Sequence, residues 1–315
     1  VKIIVFNQYR DSAKKIEESQ ALISDNSIKN STEELSANVK LSGIWGDNMV
    51  IQRNKANIVW GTGEPNKDVL IEFANKTYKT TVSLDGSWKI SLNELSAGGP
   101  YDMVIKGKNI RTIKSILIGD VWFCGGQSNM EYTINKFPYA SEEIKIANYP
   151  NIRLFTAAPQ ISLTNKDIKG IWQAAQGENI KNFSATAYFF GRYVHNQLNI
   201  PIGLISSSYS GSSIEAWIDK DSLIKDQDFS ENINKLYNSL APEGMQNLTK
   251  LTPTGLYNGM VASIIPFSIK GIIWYQGEAN VERAEQYKRL FPLLINNWRK
   301  KWALGDFPFF FKSFK

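Results

Sequence analysis

Hydrophobic positions along the chain change period near residue 117. Before that point they alternate with polar ones, the period of a half-buried strand. Val69, Ile71 and Phe73 alternate, Ala74-Asn75-Lys76 reads as a tight turn, and Thr77 to Val82 returns. Asp85-Gly86 is a hairpin signal, followed by Trp88, Ile90 and Leu92 in alternation. Gly98-Gly99-Pro100 is expected to break the chain before Tyr101, Met103 and Ile105. Strands at this spacing without helices predict a small β-sandwich over residues 41–117. It carries no set of acid, base and nucleophile, so its expected role is packing or sugar contact. Residues 1–40 read as a lead-in: a short strand at Lys2 to Phe6, then a polar stretch expected to be a surface helix or partly disordered.

After residue 117 continuous apolar runs alternate with helical patterns. Ile116 to Phe123, Ile202 to Ser206 and Ile269 to Tyr275 read as buried strands, and Phe307 to Phe311 as a fourth. Between the first two, Phe183 to Asn199 reads as a helix with Ala187, Gly191, Val194 and Leu198 on one stripe. Ser213 is a candidate cap for a helical segment that follows it. A long helix is expected from Val281 to Trp302, with Tyr287, Leu290, Leu294, Trp298 and Trp302 in register. Pro292 should kink it or start a new helix. Strand–helix alternation predicts an α/β domain over residues 118–315, with helices on the faces of a parallel sheet.

The composition is that of ordinary globular material: 315 residues, 43% hydrophobic and 12% aromatic. The net charge is +6, but the basic residues are scattered, which argues for a solvated surface and against nucleic-acid binding. A single cysteine, Cys124, excludes an internal disulfide framework and any CxxC metal site; it reads as a small buried hydrophobe. No apolar run reaches the roughly 18 residues of a membrane span. The chain starts at Val1 without Met, which fits a removed signal peptide or a fragment. Oligomeric state is not legible.

The chemistry gathers at the ends of the buried strands. The first runs into Gly125-Gly126-Gln127-Ser128-Asn129-Met130. A serine just past a Gly-Gly turn at the carboxyl end of a buried strand sits where α/β enzymes place a nucleophile. It is not the Gly-x-Ser-x-Gly elbow, because position 130 is Met. The second strand leads to Gly211, with an unobstructed backbone N–H, and the third to Asn280, with a side-chain amide. One hydroxyl nucleophile and two or three N–H donors are the equipment of acyl transfer, the donors meeting the oxyanion that forms when serine attacks an ester. Gln127, Gln276 and Glu278 are candidate walls of the site.

These blocks carry a resemblance. Gly119-Asp120-Val121-Trp122 through Ser128-Asn129-Met130 resembles the first block of SGNH-type carbohydrate esterases, most closely the sialate O-acetylesterase family. Ser210-Gly211-Ser212-Ser213-Ile214-Glu215-Ala216-Trp217 resembles its second block and Trp274 to Asn280 its third. Asn48 to Arg53, Gly86 to Lys89 and Asn258 to Met260 are similar too, so the likeness spans roughly residues 41–315. It implies an SGNH-hydrolase-like three-layer domain preceded by the β-sandwich. It further implies a serine esterase that removes acetyl groups from sugars, O-acetylated sialic acid foremost. Ser128 would be the nucleophile, Gly211 and Asn280 would complete the oxyanion hole, no cofactor would be needed, and the location would be secreted or periplasmic.

The resemblance also implies a histidine base in a carboxyl-terminal Asp-x-x-His block, and the chain has no such block. Its only histidine, His195, lies in the helix before the second strand and is expected towards the amino edge of the sheet. A carboxylate of ordinary pKa, near 4, is a poor base for a serine hydroxyl, which weighs against Glu278. The general base and the rest of the sheet are therefore expected beyond Lys315. Two further readings remain at this stage: an acetyl esterase acting on xylan or another glycan, and a carbohydrate-binding protein that keeps the pocket without the chemistry.

Overall fold

The computed structural model describes residues 39–238 and 247–312. The lead-in expected over residues 1–40 lies almost wholly outside the described residues. Thirteen strands are described. The first seven are β1 (Lys40–Leu41), β2 (Val50–Gln52), β3 (Asn57–Thr62), β4 (Asp68–Phe73), β5 (Lys76–Thr81), β6 (Ser87–Leu92) and β7 (Gly98–Lys106). The others are β8 (Ile110–Gly126), β9 (Asn148–Thr156), β10 (Trp172–Gln176), β11 (Ile202–Ser208), β12 (Gly271–Tyr275) and β13 (Phe309–Phe311). Helices α1 (Ser128–Glu131), α2 (Ala140–Ile146), α3 (Ala185–Leu198), α4 (Lys220–Leu223), α5 (Ser230–Asn238), α6 (Gly255–Met260) and α7 (Ala284–Trp302) alternate with the later strands.

The chain divides into two compact units, and the division is not a single cut at residue 117. Of the described residues, the smaller holds Val39, Lys40, Gly61–Trp88 and Val104–Arg111; the larger holds Leu41–Trp60, Lys89–Met103 and those from Thr112 on. In the smaller unit β4 and β5 form an antiparallel hairpin, Asp68 opposite Thr81 and Phe73 opposite Lys76. Its turn residues, Ala74 and Asn75, both have positive φ, the geometry of a two-residue hairpin loop. Val69, Ile71 and Phe73 are buried on one side of β4, as their alternation requires.

In the larger unit β8 is the organising strand. It runs for 17 residues, so the expected boundary at 117 falls inside a continuous element. Every residue from Ile116 on is buried along it; β11 joins it from Asp120 and β12 from Trp122, so that Trp122 to Gly126 have parallel neighbours on both sides. Along the sheet the order is β10, β9, β11, β8, then β12 and β13 on the other side. All these pairings are parallel except β10 with β9. The short strand β2 also lies parallel to β8, pairing Val50 with Leu117. An ion pair fastens that junction: the Arg53 guanidinium binds Asp120 through Nε at 2.8 Å and Nη2 at 3.0 Å, and Gln52 Nε2 adds a third bond at 3.1 Å. The Gly98–Pro100 segment departs from expectation: it is the start of β7, not a break. Gly99 has φ +111°, and a Cβ there would lie 2.8 Å from the Ile116 carbonyl oxygen.

Helices cover both faces of this sheet. On one, α3 packs over Trp122 and Cys124, with Phe190 edge-on to Trp122 at 4.9 Å. Gly191 lets the helix close onto Leu204, whose Cδ1 a Cβ would meet at 2.5 Å. On the other face Trp298 and Trp302 of α7 stand against Phe123, at 5.3 and 5.8 Å between rings. Successive residues of β8 thus anchor opposite layers, the period-two alternation of a strand. The α7 register holds, since Leu290, Leu294, Trp298 and Trp302 are all buried, and the helix runs through Pro292 without a new start. Leu198, expected on the buried stripe of α3, is exposed because the helix ends there with Asn199 in the left-handed conformation.

Candidate active site

Three strand ends lie level with one another. Gly126, the last residue of β8, pairs with Ser208 at the end of β11 and with Tyr275 at the end of β12. The segments that follow carry Ser128, Gly211 and Asn280, so the fold brings all three to the carboxyl edge of one sheet. Cross-bonds lock the segments together. Gln127 N donates to Tyr275 O and Tyr209 N to Gly126 O, each at 3.0 Å. Gln127 turns its side chain inward, and its Oε1 accepts from Gly277 N (3.3 Å) and Ala279 N (3.2 Å). Gln276 Nε2 donates to Ser212 O at 3.1 Å and to Asn280 Oδ1 at 2.8 Å. These two glutamines are buried brackets between the loops.

Ser128 opens α1 and is exposed. As the first residue of the helix, its N–H stands ahead of the helix's own hydrogen bonds. The helix is short but anchored: Met130 N and Glu131 N both donate to Gln127 O at 2.9 Å. The start of α3 holds it from the other side, with Ser184 Oγ donating to Met130 O at 2.5 Å and Thr186 Oγ1 to Asn129 O at 3.0 Å. Asn129 Nδ2 donates to Glu278 Oε1, which ties the residue after the serine to the third loop.

Gly211 has φ +68°, a conformation that favours glycine, and its N–H has no acceptor among the described residues. The Lys250 side chain lies over it, with Nζ 2.6 Å from where a Cβ would stand. Asn280 is 1% exposed. Its Oδ1 accepts from Ile214 N at 3.0 Å as well as from Gln276, and its Nδ2 donates to Glu215 Oε2 at 3.0 Å. One N–H of Nδ2 is left without an acceptor among the described residues. Asn280 therefore caps the 3-10 turn Ile214–Trp217 from another segment. Ser213, the expected cap, makes no capping bond, and its hydroxyl is buried without a partner.

Beside Asn280 a cleft of about 310 Å3 is lined by Gln276, Gly277, Tyr287, Phe291 and Phe311. Tyr287 donates its hydroxyl to Gln276 O at 2.9 Å. Burial pushes its phenol up to about 12, and the Glu278 carboxylate adds to the shift. His195 is elsewhere. It sits in the last turn of α3, with Nδ1 2.7 Å from Ile200 O. The next strand begins at Ile202, level with Asp120 and six residues of β8 short of Gly126. That is about 20 Å from the serine edge at the rise of a strand.

The family model for "carbohydrate esterase, sialic acid-specific acetylesterase" matches residues 118–314, the stretch that carries all three strand ends. The chain belongs to this family. Human sialate O-acetylesterase is 29% identical over 283 residues, covering 82% of this chain and 53% of the relative. The mouse protein of the same name is 30% identical over 313 residues, covering 84% and 58%. A crystal structure of a carbohydrate acetylesterase from Xanthomonas citri aligns with TM-score 0.76 and 30% identity, over 87% of this chain and 60% of that one. This chain thus spans a little over half the length of the curated relatives it matches.

At this sheet edge, reading the sequence alone missed the contacts of Glu215, Arg283 and Asn129. Glu215 is 4% exposed, and its second oxygen, Oε1, pairs with Arg283 Nη2 at 2.8 Å. The available signal was an acidic residue inside an apolar stretch, Ile214-Glu215-Ala216-Trp217, where a charge needs a buried partner.

Proposed function

We propose that this chain carries the nucleophile and oxyanion donors of an SGNH-type serine esterase that removes O-acetyl groups from sugars, with O-acetylated sialic acid as substrate. The observation that carries the reading is the spare N–H of Asn280 at the same sheet edge as exposed Ser128 and the unbonded N–H of Gly211. Ser128 Oγ attacks the acetyl carbonyl carbon and the carbonyl π pair moves onto oxygen. The oxyanion is met by the N–H groups of Ser128 and Gly211 and by Asn280 Nδ2. Collapse breaks the bond to the sugar oxygen, which leaves with a proton as the sugar hydroxyl. Water then cleaves acetyl-Ser128 to acetate. The proton from Ser128 passes to a general base; among the described residues the one histidine, His195, lies at the other edge, and the Glu278 carboxylate at this edge is a poor base for a serine hydroxyl.

Sialic acid as the sugar rests on the family description and on the curated relatives. The Xanthomonas citri neighbour, a carbohydrate acetylesterase of equal identity, supports a second reading in which the acetylated sugar is another glycan. The test is acetate release by the native protein from an aryl acetate, from 9-O-acetyl-N-acetylneuraminic acid and from acetylated xylan. Replacing Ser128 by Ala should cost at least about 1,000-fold on every substrate turned over. Turnover that survives Ser128→Ala sinks the reading. A preference for xylan over the acetylated sialic acid selects the second.

A further inference from the structure

The carboxylate of Glu215 has no part in the chemistry above, yet it is buried against the proposed oxyanion donor. Burying a carboxylate is costly even when it is paired. A neutral residue would fill the same space, so the charge calls for a reason. Its two oxygens divide the work: Oε2 accepts from Asn280 Nδ2 at 3.0 Å, and Oε1 binds Arg283 at 2.8 Å. The backbone of Glu215 is fixed as well, its carbonyl accepting from Thr254 N at 3.0 Å.

An asparagine amide can turn over and exchange its oxygen and nitrogen. Here Oδ1 faces two donors, Ile214 N and Gln276 Nε2, and Nδ2 faces an acceptor that cannot donate. A turned amide would set Nδ2 against two donors and Oδ1 against a carboxylate. A charge-assisted bond is roughly twice as strong as a neutral one, so the carboxylate is the strongest of the three constraints. With one Nδ2 hydrogen held by Glu215, the planar amide fixes the direction of the other.

We propose that Glu215 is a positioning residue for the esterase reaction. It locks the Asn280 amide so that the free N–H meets the oxyanion on Ser128. Arg283 neutralises the carboxylate, which would otherwise oppose the developing negative charge. The proposal rests on the reading of Asn280 as an oxyanion donor.

A double-mutant cycle on aryl acetate hydrolysis by the native protein tests it. Asn280→Ala should lower kcat about 100- to 1,000-fold. Glu215→Gln should lower kcat about 10- to 100-fold with KM within about twofold, the signature of an interaction made in the transition state. In the Asn280→Ala background Glu215→Gln should cost nothing further, because its effect runs through the missing amide. An equal loss in both backgrounds, or no loss in either, overturns the proposal and leaves the donor reading standing. Full kcat in Asn280→Ala removes the donor reading and the proposal together. If Glu215→Gln does not fold, Arg283→Gln replaces it, since that side chain is 40% exposed. A several-fold fall in kcat at constant KM is then expected, and an unchanged kcat overturns the proposal.

Discussion

The α-carbon of Gly126 faces the carbonyl of Tyr275 so closely that a methyl group added to it would stand 2.1 Å from the oxygen. Gly126 also has φ +144°, outside the range that residues with a side chain favour. The contact sets β12 beside β8 at the level of Ser128, and the residue after Gly126 is joined to the same carbonyl: Gln127 N donates to Tyr275 O at 3.0 Å. Gly126→Ala must therefore push β12 away or bend β8. The expected cost is about 3 kcal/mol or more, read as a lower midpoint in urea. Acetate release should fall further than stability alone explains, because Asn280 and Ser128 are carried on the two displaced segments. A Gly126→Ala protein with parental midpoint and turnover would show that the strands tolerate separation.

His195→Ala separates the one histidine from the chemistry. The ring lies at the amino edge of the sheet, about 20 Å from the serine edge by strand rise. It is held by its own bond to Ile200 O at 2.7 Å and stands edge-on to Tyr149 at 6.4 Å. Removing it should cost about 1 kcal/mol of stability, the worth of one hydrogen bond. kcat on an aryl acetate should stay within about twofold of the parent. A loss of 100-fold or more without loss of fold would make His195 the base and contradict its placement.

The large features of this fold were legible because they are written in hydrophobic period. Val69, Ile71 and Phe73 alternate and are buried alternately; Leu290 to Trp302 recur at helical spacing and lie on one buried stripe. The strand ends were legible because a glycine pair (Gly125-Gly126), a run of small residues (Ser206-Ser207-Ser208) or a polar turn with one glycine (Gln276-Gly277) closes each apolar run. What was not legible depends on contacts between segments far apart in sequence. Ser213 has the composition of a cap, yet Asn280, 67 positions later, fills the role. Gly98-Gly99-Pro100 has the composition of a break, yet β7 begins there, with Gly99 close against the Ile116 carbonyl. Glu215 and Arg283 are ordinary charges in the sequence, and only their meeting beside Asn280 gives them a role.

Asp219 gives the larger unit a dependence on acid. It is 3% exposed and caps α4 by accepting from Ser222 N at 2.8 Å, while Lys301 of α7 reaches it at 2.6 Å. Burial alone would raise its pKa, but the Lys301 ammonium and the Ser222 hydrogen bonds outweigh burial and hold it below the ordinary carboxylate value. A carboxylate depressed in the folded state leaves the unfolded chain binding more protons in acid, so stability rises with pH through that range. The contribution is fully present above the unfolded value, about 3.9, and is lost as pH falls through the lower folded one. Urea midpoints measured from pH 7 down to pH 2.5 should decline more steeply for the parent than for Asp219→Asn, the two curves converging at the acid end. Curves that stay parallel across the whole range would mean that Asp219 titrates alike in the folded and unfolded chain, and that the α4–α7 ion pair contributes nothing to acid sensitivity.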